Sequence, residues 1–563
     1  MLPLISAIVL AAVLWLFIPF LRLLSRQWLS PLRFLPGPPS QSFFMGNLAE
    51  MHEQENTNLI ANWEAKYGST FVYRGFVGGC RLMTTDPVAV AHILGNAYEY
   101  PKPDFVRDSL ATMAAGHDGL LTTEGEMHKK QTPAFTSSHI KSLAPIFWDH
   151  ALQLRDIWFD LASNSETIGH SSTRVDALIW LGRATLDVIG LAGFGYSFHS
   201  LAHAHTQALP SESSDELADA FSTIFSTARK FRVMTILQVW FPWLRRFRRN
   251  SAVMVQAQET MRRIGLGLID RATKEAVDDE KNGWKNETGI EGDKTTMGRD
   301  LLAVLIRSSL SQRDATSSSS MSTSEILSQI STFLAAGHET TASALNWCLY
   351  ALVKHPDAQI KLRQSLRELE ADFRSVDDNA IQKCEFLDWV VRESLRVHAP
   401  VTSTMRVCMR EGGDDIPVSR DGYRDKYGSL RSSIPVNKHD IISVPIQAIN
   451  KSKDLWGEDA GEFKPERWAS PPERVKSIPG LYSNILTFLN GNPIDGNRAC
   501  IGYKFALIEM KIFLYVLVKD IEFSIDPALV IEKKVNVVTR PFVKSEPHLG
   551  NQMPLYIRPA TKS

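Results

Sequence analysis

The stretch Gly496-Asn497-Arg498-Ala499-Cys500-Ile501-Gly502 places one cysteine between two glycines, with an arginine two residues before it. A cysteine that binds iron as a thiolate needs positive surroundings and backbone amides that point at the sulfur. Glycine lets the backbone approach a cofactor closely, and an arginine can pair with a carboxylate on it. A lone cysteine is more often a small buried hydrophobic residue, but this pattern argues against that alternative.

Composition excludes several classes of protein. The 563 residues include 62 basic and 62 acidic side chains, so the neutral net charge argues against a nucleic-acid binder that relies on a global positive field. The hydrophobic share of 44% is that of a globular chain. No CxxC pair occurs, which leaves a zinc ribbon unsupported. The five cysteines are too few and too dispersed for a disulfide framework: Cys80, Cys348, Cys384, Cys408 and Cys500.

The segment Ala336–Thr341, AGHETT, lies within a predicted helix from about Glu325 to Leu352. Its neighbours are apolar, so an acid and two hydroxyls are costly to bury there without partners. Gly337 weakens the helix by about 1 kcal/mol relative to alanine, and such a local conflict is typical of a functional site. We expect Gly337 to open a groove beside the helix, into which Glu339 and Thr340 pass protons. The alternative is a solvated polar stripe.

Glu393-Ser394-Leu395-Arg396 places an acid and a base three residues apart on one face of a predicted helix. Alone this spacing is a weak signal, but Phe463-Lys464-Pro465-Glu466-Arg467-Trp468 downstream offers a second arginine to the same acid. We predict a buried, fully hydrogen-bonded cluster of Glu393, Arg396 and Arg467. Removal of one member should cost about 3–5 kcal/mol.

The N-terminus predicts a membrane anchor. Residues Leu4–Leu21 carry no charge and would form roughly 27 Å of helix, close to the thickness of the hydrocarbon core. A cleaved signal peptide is the alternative, but the run is too long for one and no positive region precedes it. Arginines follow the run, which keeps the rest of the chain in the cytosol by the positive-inside rule. Pro36-Gly37-Pro38-Pro39 is predicted to be a stiff, non-helical hinge.

These signals divide the chain into an anchor (1–24), a basic and proline-rich hinge (25–45) and one mainly helical body with small β-sheets (46–563). Short strands are expected near Thr70–Arg74 and Arg81–Thr84. Polar surface loops are expected at about 273–299 and 311–324, around a short apolar helix, Leu301–Ile306. Ser322 and Glu325 have capping-box spacing and predict the next helix start. Phe231–Arg249 mixes aromatics with arginine and reads equally well as a lipid-contacting surface or as a buried helix end.

Taken together and in this order, these elements resemble the cytochrome P450 family over essentially the whole chain. The length and the apolar N-terminus are similar to the microsomal type, and AGHETT, PERW and RACIGYKFALIEMK resemble a fungal member. The resemblance implies the P450 fold, α+β and mainly helical, behind a single-pass transmembrane helix. It implies haem b as the cofactor, with electrons from NADPH through a flavin reductase and a possible contribution from cytochrome b5. It places the protein in the endoplasmic reticulum membrane, with the catalytic domain in the cytosol.

The resemblance also implies roles for individual residues. Cys500 would be the axial thiolate ligand of the haem iron, a ligand that favours O–O cleavage. Glu339 and Thr340 match the acid–alcohol pair that delivers protons during oxygen activation. Glu393, Arg396 and Arg467 match a structural triad that supports folding and haem retention. The residues implied to hold the haem or its propionates are Arg498, Arg406, His128, Gly496 and Gly502.

Two departures from the family pattern are visible. Pro493 stands where a phenylalanine is expected before the cysteine segment, while Phe488 lies five residues earlier, so 490–497 reads as an insertion. Thr132 stands where an arginine is expected after His128, so that segment reads as shortened. Lysines expected on the proximal side would either guide an acidic reductase or be ordinary solvated residues: Lys129, Lys130 and Lys504.

The sequence therefore predicts a haem-thiolate monooxygenase that inserts one oxygen atom from dioxygen into an apolar small molecule. Fungal secondary metabolism with a terpenoid-like substrate is the leading interpretation. The pocket is expected to draw on Leu110–Met113, Ala336, Thr340–Ala344 and Val401–Thr404. A reductase-independent haem-thiolate isomerase or dehydratase is one alternative. A non-enzymatic haem sensor or membrane scaffold is another.

Overall fold

A computed structural model represents the protein here. It describes residues 17–18, 21, 24–25, 29–53, 58–113, 116, 118–123, 128, 132–167, 172–205, 215–228, 252–281, 300–311, 321–369, 378–490 and 499–561. Within this part the architecture is mainly helical with small sheets, which confirms the fold class predicted from the sequence.

The helices of the described part pack around one large hydrophobic core, and the strands form small sheets beside it. The helices are α1 (Leu48–Glu53), α2 (Asn58–Tyr67), α3 (Pro87–Gly95), α4 (Asp104–Met113), α5 (Ser137–Ser142), α6 (Ala144–Thr167), α7 (Ala177–Phe194), α8 (Ser200–His205), α9 (Glu216–Ala228), α10 (Ala252–Lys281), α11 (Leu301–Ser311), α12 (Thr323–Lys354), α13 (Pro356–Arg367), α14 (Asp378–Lys383), α15 (Glu385–Val397), α16 (Ile446–Asn450), α17 (Lys453–Trp456) and α18 (Tyr503–Asp520). The strands are β1 (Thr70–Arg74), β2 (Cys80–Thr84), β3 (Thr173–Asp176), β4 (Thr404–Val407), β5 (Asp414–Pro417), β6 (Tyr423–Arg424), β7 (Leu430–Arg431), β8 (Ser433–Val436), β9 (Ile441–Val444), β10 (Ile521–Ser524), β11 (Ile531–Asn536), β12 (Val538–Val543) and β13 (Pro554–Pro559).

The long helix α12 begins where the capping-box spacing predicted. Ser322 Oγ accepts a hydrogen bond from the Glu325 N–H at 3.2 Å, and Glu325 Oε2 accepts one from the Ser322 N–H at 2.6 Å. These two bonds satisfy amides that the first turn of a helix leaves unpaired. The helix continues to Lys354, so it is slightly longer at both ends than the predicted span.

Helix α7 crosses α12 at the AGHETT segment. Asp176 caps the start of α7 by accepting from the Leu178 N–H, and Gly195 ends it with a left-handed φ of 60°. At the crossing, Thr185 Oγ1 donates to the His338 carbonyl at 3.1 Å. An added methyl at Gly337 would lie 2.8 Å from Ile189. The predicted open groove at Gly337 is therefore wrong, because the Ile189 side chain fills that space.

The largest described sheet has the strand order β1-β2-β9-β4 and joins distant parts of the chain. Strands β1 and β2 are an antiparallel hairpin, and β2 pairs in parallel with β9. Both strands match the predicted positions, with β2 one residue longer at its start.

The Pro36–Pro39 stretch is non-helical, as expected, and it packs against strand β1. The Val72 N–H donates to the Pro36 carbonyl at 2.8 Å, and a methyl at Gly37 would collide with the Val72 carbonyl.

The predicted polar loops are shorter than expected. Helix α10 continues to Lys281, so residues 273–281 are helical, and α11 continues to Ser311. Lys274 and Asp270 stand four residues apart, and their Nζ and Oδ2 atoms lie 2.7 Å apart. Such pairs stabilise an exposed helix, so a charge-rich segment can form a helix as well as a loop. Composition alone therefore misplaced these boundaries. Residues 282–299 and 312–320 lie outside the described part, as does Phe231–Arg249.

One helix of the described part, α7, is long and apolar enough to cross a membrane, with a mean hydropathy of 1.4. Most of it is buried, and residues such as Leu181, Ala184 and Val188 are completely enclosed by the protein core. We therefore interpret α7 as a core helix. The predicted anchor at 1–24 lies mostly outside the described residues and stays a prediction.

Two glycines of α7 should respond to alanine in opposite directions. A methyl at Gly190 would lie 2.5 Å from both the Phe198 ring and the Tyr196 carbonyl, whereas a methyl at Gly182 would meet nothing within 4 Å. We expect Gly190→Ala to lower the free energy of unfolding by about 1–3 kcal/mol through overpacking. Gly182→Ala should raise it by up to about 1 kcal/mol because alanine favours helix. Thermal unfolding of the two variants measures both signs, and equal effects would contradict the close packing of Gly190 against Phe198 and Tyr196.

Candidate active site

Cys500 lies between the end of an irregular segment and the start of α18. Its N–H donates to the Phe488 carbonyl at 2.9 Å, and the Gly502 N–H donates to its sulfur. It is the exposed member of the five cysteines, since the other four are buried. The surrounding protein nevertheless raises the pKa of the Cys500 thiol to about 11 by desolvation. Cys500 is thus exposed as a residue, while the surrounding protein desolvates its thiol.

These features fit an iron cofactor bound through the sulfur. A bound metal cation would replace the thiol proton and offset the cost of burying a charged thiolate. The Gly502 amide also stabilises the thiolate charge. Among the described residues, a methyl on Gly502 would meet only Phe135, at 3.9 Å, so packing against this part of the protein does not account for the glycine. Room for a closely approaching planar group does account for it. Arg498 and Gly496 lie outside the described residues.

The position of Phe488 accounts for one departure from the expected pattern, which is the missing phenylalanine shortly before the cysteine segment. Although the sequence separates it from Cys500, the backbone hydrogen bond between them brings the two residues together. The Phe488 ring is buried, with its centroid 6.0 Å from the Tyr482 ring and 6.1 Å from the Tyr503 ring. Phe488 therefore lies beside Cys500, and residues 491–498, which include most of the predicted insertion, lie outside the described part of the chain.

Two other cofactor candidates lie in the protein interior. Arg406, on strand β4, is only 1% exposed, and its Nη1 donates to Thr404 Oγ1 at 2.6 Å and to the Met405 carbonyl at 2.8 Å. Both of these acceptors are neutral groups of the same strand. His128 is also buried. Thr132 begins a short 3-10 turn, and residues 129–131 lie outside the described part.

Glu339 and Thr340 lie just beyond the crossing of α7 and α12. Thr340 Oγ1 donates to the Ala336 carbonyl at 2.6 Å, one turn earlier in the helix. The Glu339 carboxylate forms an ion pair with Arg540 of β12, and its side chain is only 10% exposed. One turn further on, Ser343 Oγ donates to the Thr539 carbonyl at 2.8 Å, so β12 is tied to α12 on the same helix face. Sequence reasoning missed Arg540, because nothing local links residues so far apart.

Glu393, Arg396 and Arg467 meet in a completely buried cluster. Glu393 accepts from Arg396 Nε at 2.9 Å and Nη2 at 2.8 Å, and from Arg467 Nε at 3.3 Å. The Trp468 indole N–H adds a hydrogen bond at 3.1 Å, and the Lys464 backbone N–H adds one at 2.9 Å. All the polar positions of the carboxylate are therefore used, as a buried charge requires.

The two arginines extend this cluster into the surrounding backbone. Arg396 Nη1 donates to the Asn450 carbonyl at 2.9 Å and to the Ala460 carbonyl at 2.6 Å. Arg467 Nη1 reaches Asp459 Oδ1 at 2.6 Å. Trp468 and Asp459 had no predicted role, although Trp468 belongs to the quoted PERW segment. The cluster thus connects helix α15 with the irregular segment that leads toward Cys500.

A second buried carboxyl was missed by sequence reasoning. Glu509 lies on α18 and is only 1% exposed; its carboxyl oxygens form no hydrogen bond within the described part of the chain, and the Thr341 hydroxyl of α12 is close enough to interact with them electrostatically. Desolvation raises the pKa of Glu509 well above its ordinary value, so the group is neutral over a wide pH range. It connects the helix after Cys500 with the helix that carries Glu339 and Thr340.

Comparisons with known proteins agree with this geometry. The family model for cytochrome P450 matches residues 36–544. Cytochrome P450 monooxygenase 205 of Postia placenta is 41% identical, over 94% of this chain and 93% of its own. Cytochrome P450 monooxygenase 128 of the same fungus is 39% identical, over 95% and 94%. A ganoderic acid synthetase of Ganoderma lucidum is 31% identical, over 88% of each chain.

This chain belongs to the cytochrome P450 family, in which a cysteine thiolate holds a haem. Within the family it is a monooxygenase, an oxidoreductase of the fungal group that includes enzymes of secondary metabolism.

The buried Glu393 cluster predicts that Glu393 and Glu466 differ strongly in how much their substitution lowers the stability of the protein. Glu393→Gln should lower the free energy of unfolding by about 3–5 kcal/mol, because it leaves buried arginines without their counter-charge. Glu466→Gln is the matched control: Glu466 is half exposed and its Oε1 lies 2.7 Å from Lys361 Nζ, a surface pair worth about 0–1 kcal/mol. Denaturant unfolding and haem content measure both. Equal losses would contradict a special role for the buried cluster.

Glu509 predicts a pH-dependent stability. The unfolded chain ionises this group near its ordinary pKa while the folded chain keeps the proton, so stability falls as pH rises toward the raised folded-state pKa. Glu509→Gln removes this dependence. We therefore expect the stability of the variant relative to wild type to increase by about 1.4 kcal/mol per pH unit above about pH 5. Thermal unfolding between about pH 5 and pH 8 tests this, and a constant difference would contradict a neutral buried carboxyl.

Proposed function

We propose that this monooxygenase inserts one oxygen atom from dioxygen into an apolar small molecule in fungal secondary metabolism. The observation that carries the proposal is the accessible Cys500 thiol with the Gly502 amide directed at its sulfur, in a chain of this family. Electrons would come from NADPH through a flavin reductase, and cytochrome b5 is a second candidate donor. The haem, when bound, supplies the oxygen activation and the protein supplies the thiolate, the proton path and the pocket.

Cys500 would be the axial ligand of haem b. Gly502 would leave room for the ring, and Gly496 would do the same on the other side of the cysteine. Arg406 offers a buried guanidinium to a propionate, and Arg498 and His128 are further candidates.

Glu339 and Thr340 would move protons toward the reacting oxygen. In the structure the Thr340 hydroxyl donates to the Ala336 carbonyl, and Arg540 forms an ion pair with the Glu339 carboxylate. Proton delivery would require Thr340 Oγ1 to turn from that carbonyl and Glu339 to release Arg540. Arg540 would therefore act as a positioning residue for Glu339.

The substrate is proposed to be apolar and terpenoid-like. The expected pocket segments include Leu110–Met113 at the end of α4, Thr340–Ala344 on α12 and Val401–Thr404 before β4. The similar Ganoderma lucidum protein, named as a ganoderic acid synthetase, supports a role in secondary metabolism. The apolar run Leu4–Leu21, followed by arginines, supports an anchor in the endoplasmic reticulum membrane with a cytosolic catalytic domain.

A carbon-monoxide difference spectrum of the reduced full-length protein tests the cofactor assignment. Wild type should show the band of a haem with a thiolate ligand, and Cys500→Ala should lose it because no sulfur remains to bind iron. Cys408→Ala is the matched control, since Cys408 is completely buried in a separate cluster under the sheet. A thiolate band that survives in Cys500→Ala would refute the assignment.

Microsomes that contain the protein and its reductase test the reaction class. Candidate apolar substrates, chosen by the shift they cause in the haem spectrum, should be oxidised only with both NADPH and dioxygen. Thr340→Ala should divert a larger share of NADPH consumption to hydrogen peroxide, because the donor hydroxyl is gone. Conversion without NADPH would favour the isomerase or dehydratase alternative. Spectral binding without any conversion would favour a haem sensor or scaffold.

A further inference from the structure

We propose that a small inorganic oxyanion, phosphate or sulfate, binds where helix α12, the end of helix α15 and strand β11 meet, at a group of basic side chains called here the basic cluster. Its members are Lys451, Lys533 and His398. They are distinct from the residues of the candidate active site, so the inference goes beyond the proposed function and does not depend on it.

Two members of the basic cluster share the ring of Trp347, a residue of α12 that is only 1% exposed. Lys533 Nζ lies 4.9 Å from the centroid of that ring, and the His398 ring stacks on it with the centroids 5.3 Å apart. Lys533 Nζ also donates to the carbonyl of Val397, the neighbour of His398, at 3.4 Å. A strand and a helix end that are far apart in sequence thus bring an ammonium and an imidazole together.

Lys451, the third member, directly follows helix α16. It lies close enough to Lys533 and His398 to lower the pKa of both groups. Desolvation, and next the charge of Arg396, lower the pKa of Lys451 itself. Its Nζ forms no hydrogen bond or ion pair within the described part of the chain. All three members are half-buried, so an ion from solvent can reach them.

Positive charge at the basic cluster has no counter-charge among the described residues. Burial lowers the pKa of Lys533 and of His398 well below their ordinary values. The charged neighbours that lower the pKa of His398 are all cations: Lys533, Lys451, Arg396 and His355. Glu393 already balances Arg396 in the buried cluster described above. Because desolvated cations are costly unless paired, an anion at this place would be strongly favoured.

Unused hydrogen-bonding atoms lie in the same group of residues. His398 Nδ1 and Trp347 Nε1 are both buried, and neither has a hydrogen-bond partner in the part of the chain that the structure describes. Most buried polar atoms in proteins do have a partner, so each such atom requires an explanation. Phosphate and sulfate accept several hydrogen bonds at once, and one ion can therefore bind ammonium and imidazole donors together.

The alternative is that these cations only serve the carbonyls at helix ends, where positive charge is favourable. The bond from Lys533 to Val397 is of this kind, but at 3.4 Å it is long. Asn450, the last residue of α16, already accepts from Arg396 at 2.9 Å. A helix end carries only about half an elementary charge, which does not balance a group of desolvated cations.

A bound ion would connect three elements of the fold. Lys533 stands opposite Pro541 in the β11–β12 hairpin, directly beside Arg540, which pairs with Glu339. The ion would join this hairpin to α12 and to the end of α15. We therefore expect its binding to stabilise the folded protein.

Thermal unfolding of the full-length holoenzyme tests the proposal. The protein is prepared without phosphate or sulfate, and each ion is then added while sodium chloride keeps the ionic strength constant. We expect a saturable rise in Tm of about 2 °C at about 100 times the Kd of the ion. An equal rise with chloride alone would reduce the effect to screening of charge and would overturn the site.

Charge-removing variants locate the bound ion. Lys533→Met keeps an apolar stem and removes the ammonium, so phosphate affinity measured by titration calorimetry should fall roughly tenfold or more. Lys274→Met is the matched control, because Lys274 is paired with Asp270 and its side chain is 72% exposed. Its phosphate affinity should equal that of wild type. Unchanged affinity in Lys533→Met would overturn the proposal.

The remaining outcomes separate the site from its alternatives. If Lys533→Met does not fold, Lys451→Met replaces it, and unchanged phosphate affinity in that variant would overturn the site as well. A lower Tm of Lys533→Met with undiminished phosphate binding would show that Lys533 serves the end of α15 alone. Phenyl phosphate carries the same oxygens on a larger molecule, and a response to it without a response to phosphate would overturn the assignment to an inorganic ion.

Discussion

The architecture around the candidate active site depends on one buried carboxylate, Glu393. Its charge can remain in the core only because two guanidiniums, an indole and a backbone amide surround it. Arg396 carries the constraint to the carbonyl of Asn450, whose side chain in turn binds the backbone and side chain of 486–487. The next residue, Phe488, accepts the hydrogen bond from Cys500. The position of the Cys500 sulfur is thus connected through hydrogen bonds to the buried Glu393 cluster.

Two further carboxyl groups, those of Glu339 and Glu509, have different environments. Glu339 is paired with the Arg540 guanidinium, whereas desolvation raises the pKa of Glu509 and keeps that carboxyl neutral. Each acid lies near a threonine of α12, so one turn of this helix approaches both of them. The strand that carries Arg540 is also joined to the backbone at Pro400, next to a segment expected to line the pocket. Movement of that strand would therefore affect both the pocket and the acid.

Local patterns predicted local structure well and distant contacts poorly. The capping box of Ser322 and Glu325 identified the start of α12, and a short run of strand-forming residues identified β1, because both depend on neighbours in sequence. Charge-rich composition misassigned residues 273–281, since an exposed helix and a loop both tolerate charge. The groove expected at Gly337 was wrong for another reason: the partner that fills it, Ile189, comes from a helix whose crossing point no local pattern specifies.

The sequence by itself determined the family, the candidate thiolate Cys500, the pair of Glu393 with Arg396 and the apolar N-terminal run. Each of these features depends on residues close together in sequence or on a specific motif. Only the tertiary structure decided that Arg540 holds Glu339, that Phe488 lies beside Cys500 and that Lys533 and His398 share the Trp347 ring. The physical reason is that such contacts join elements whose approach is set by the packing of the whole core. Buried charges acquire their partners only after that packing has brought the elements together.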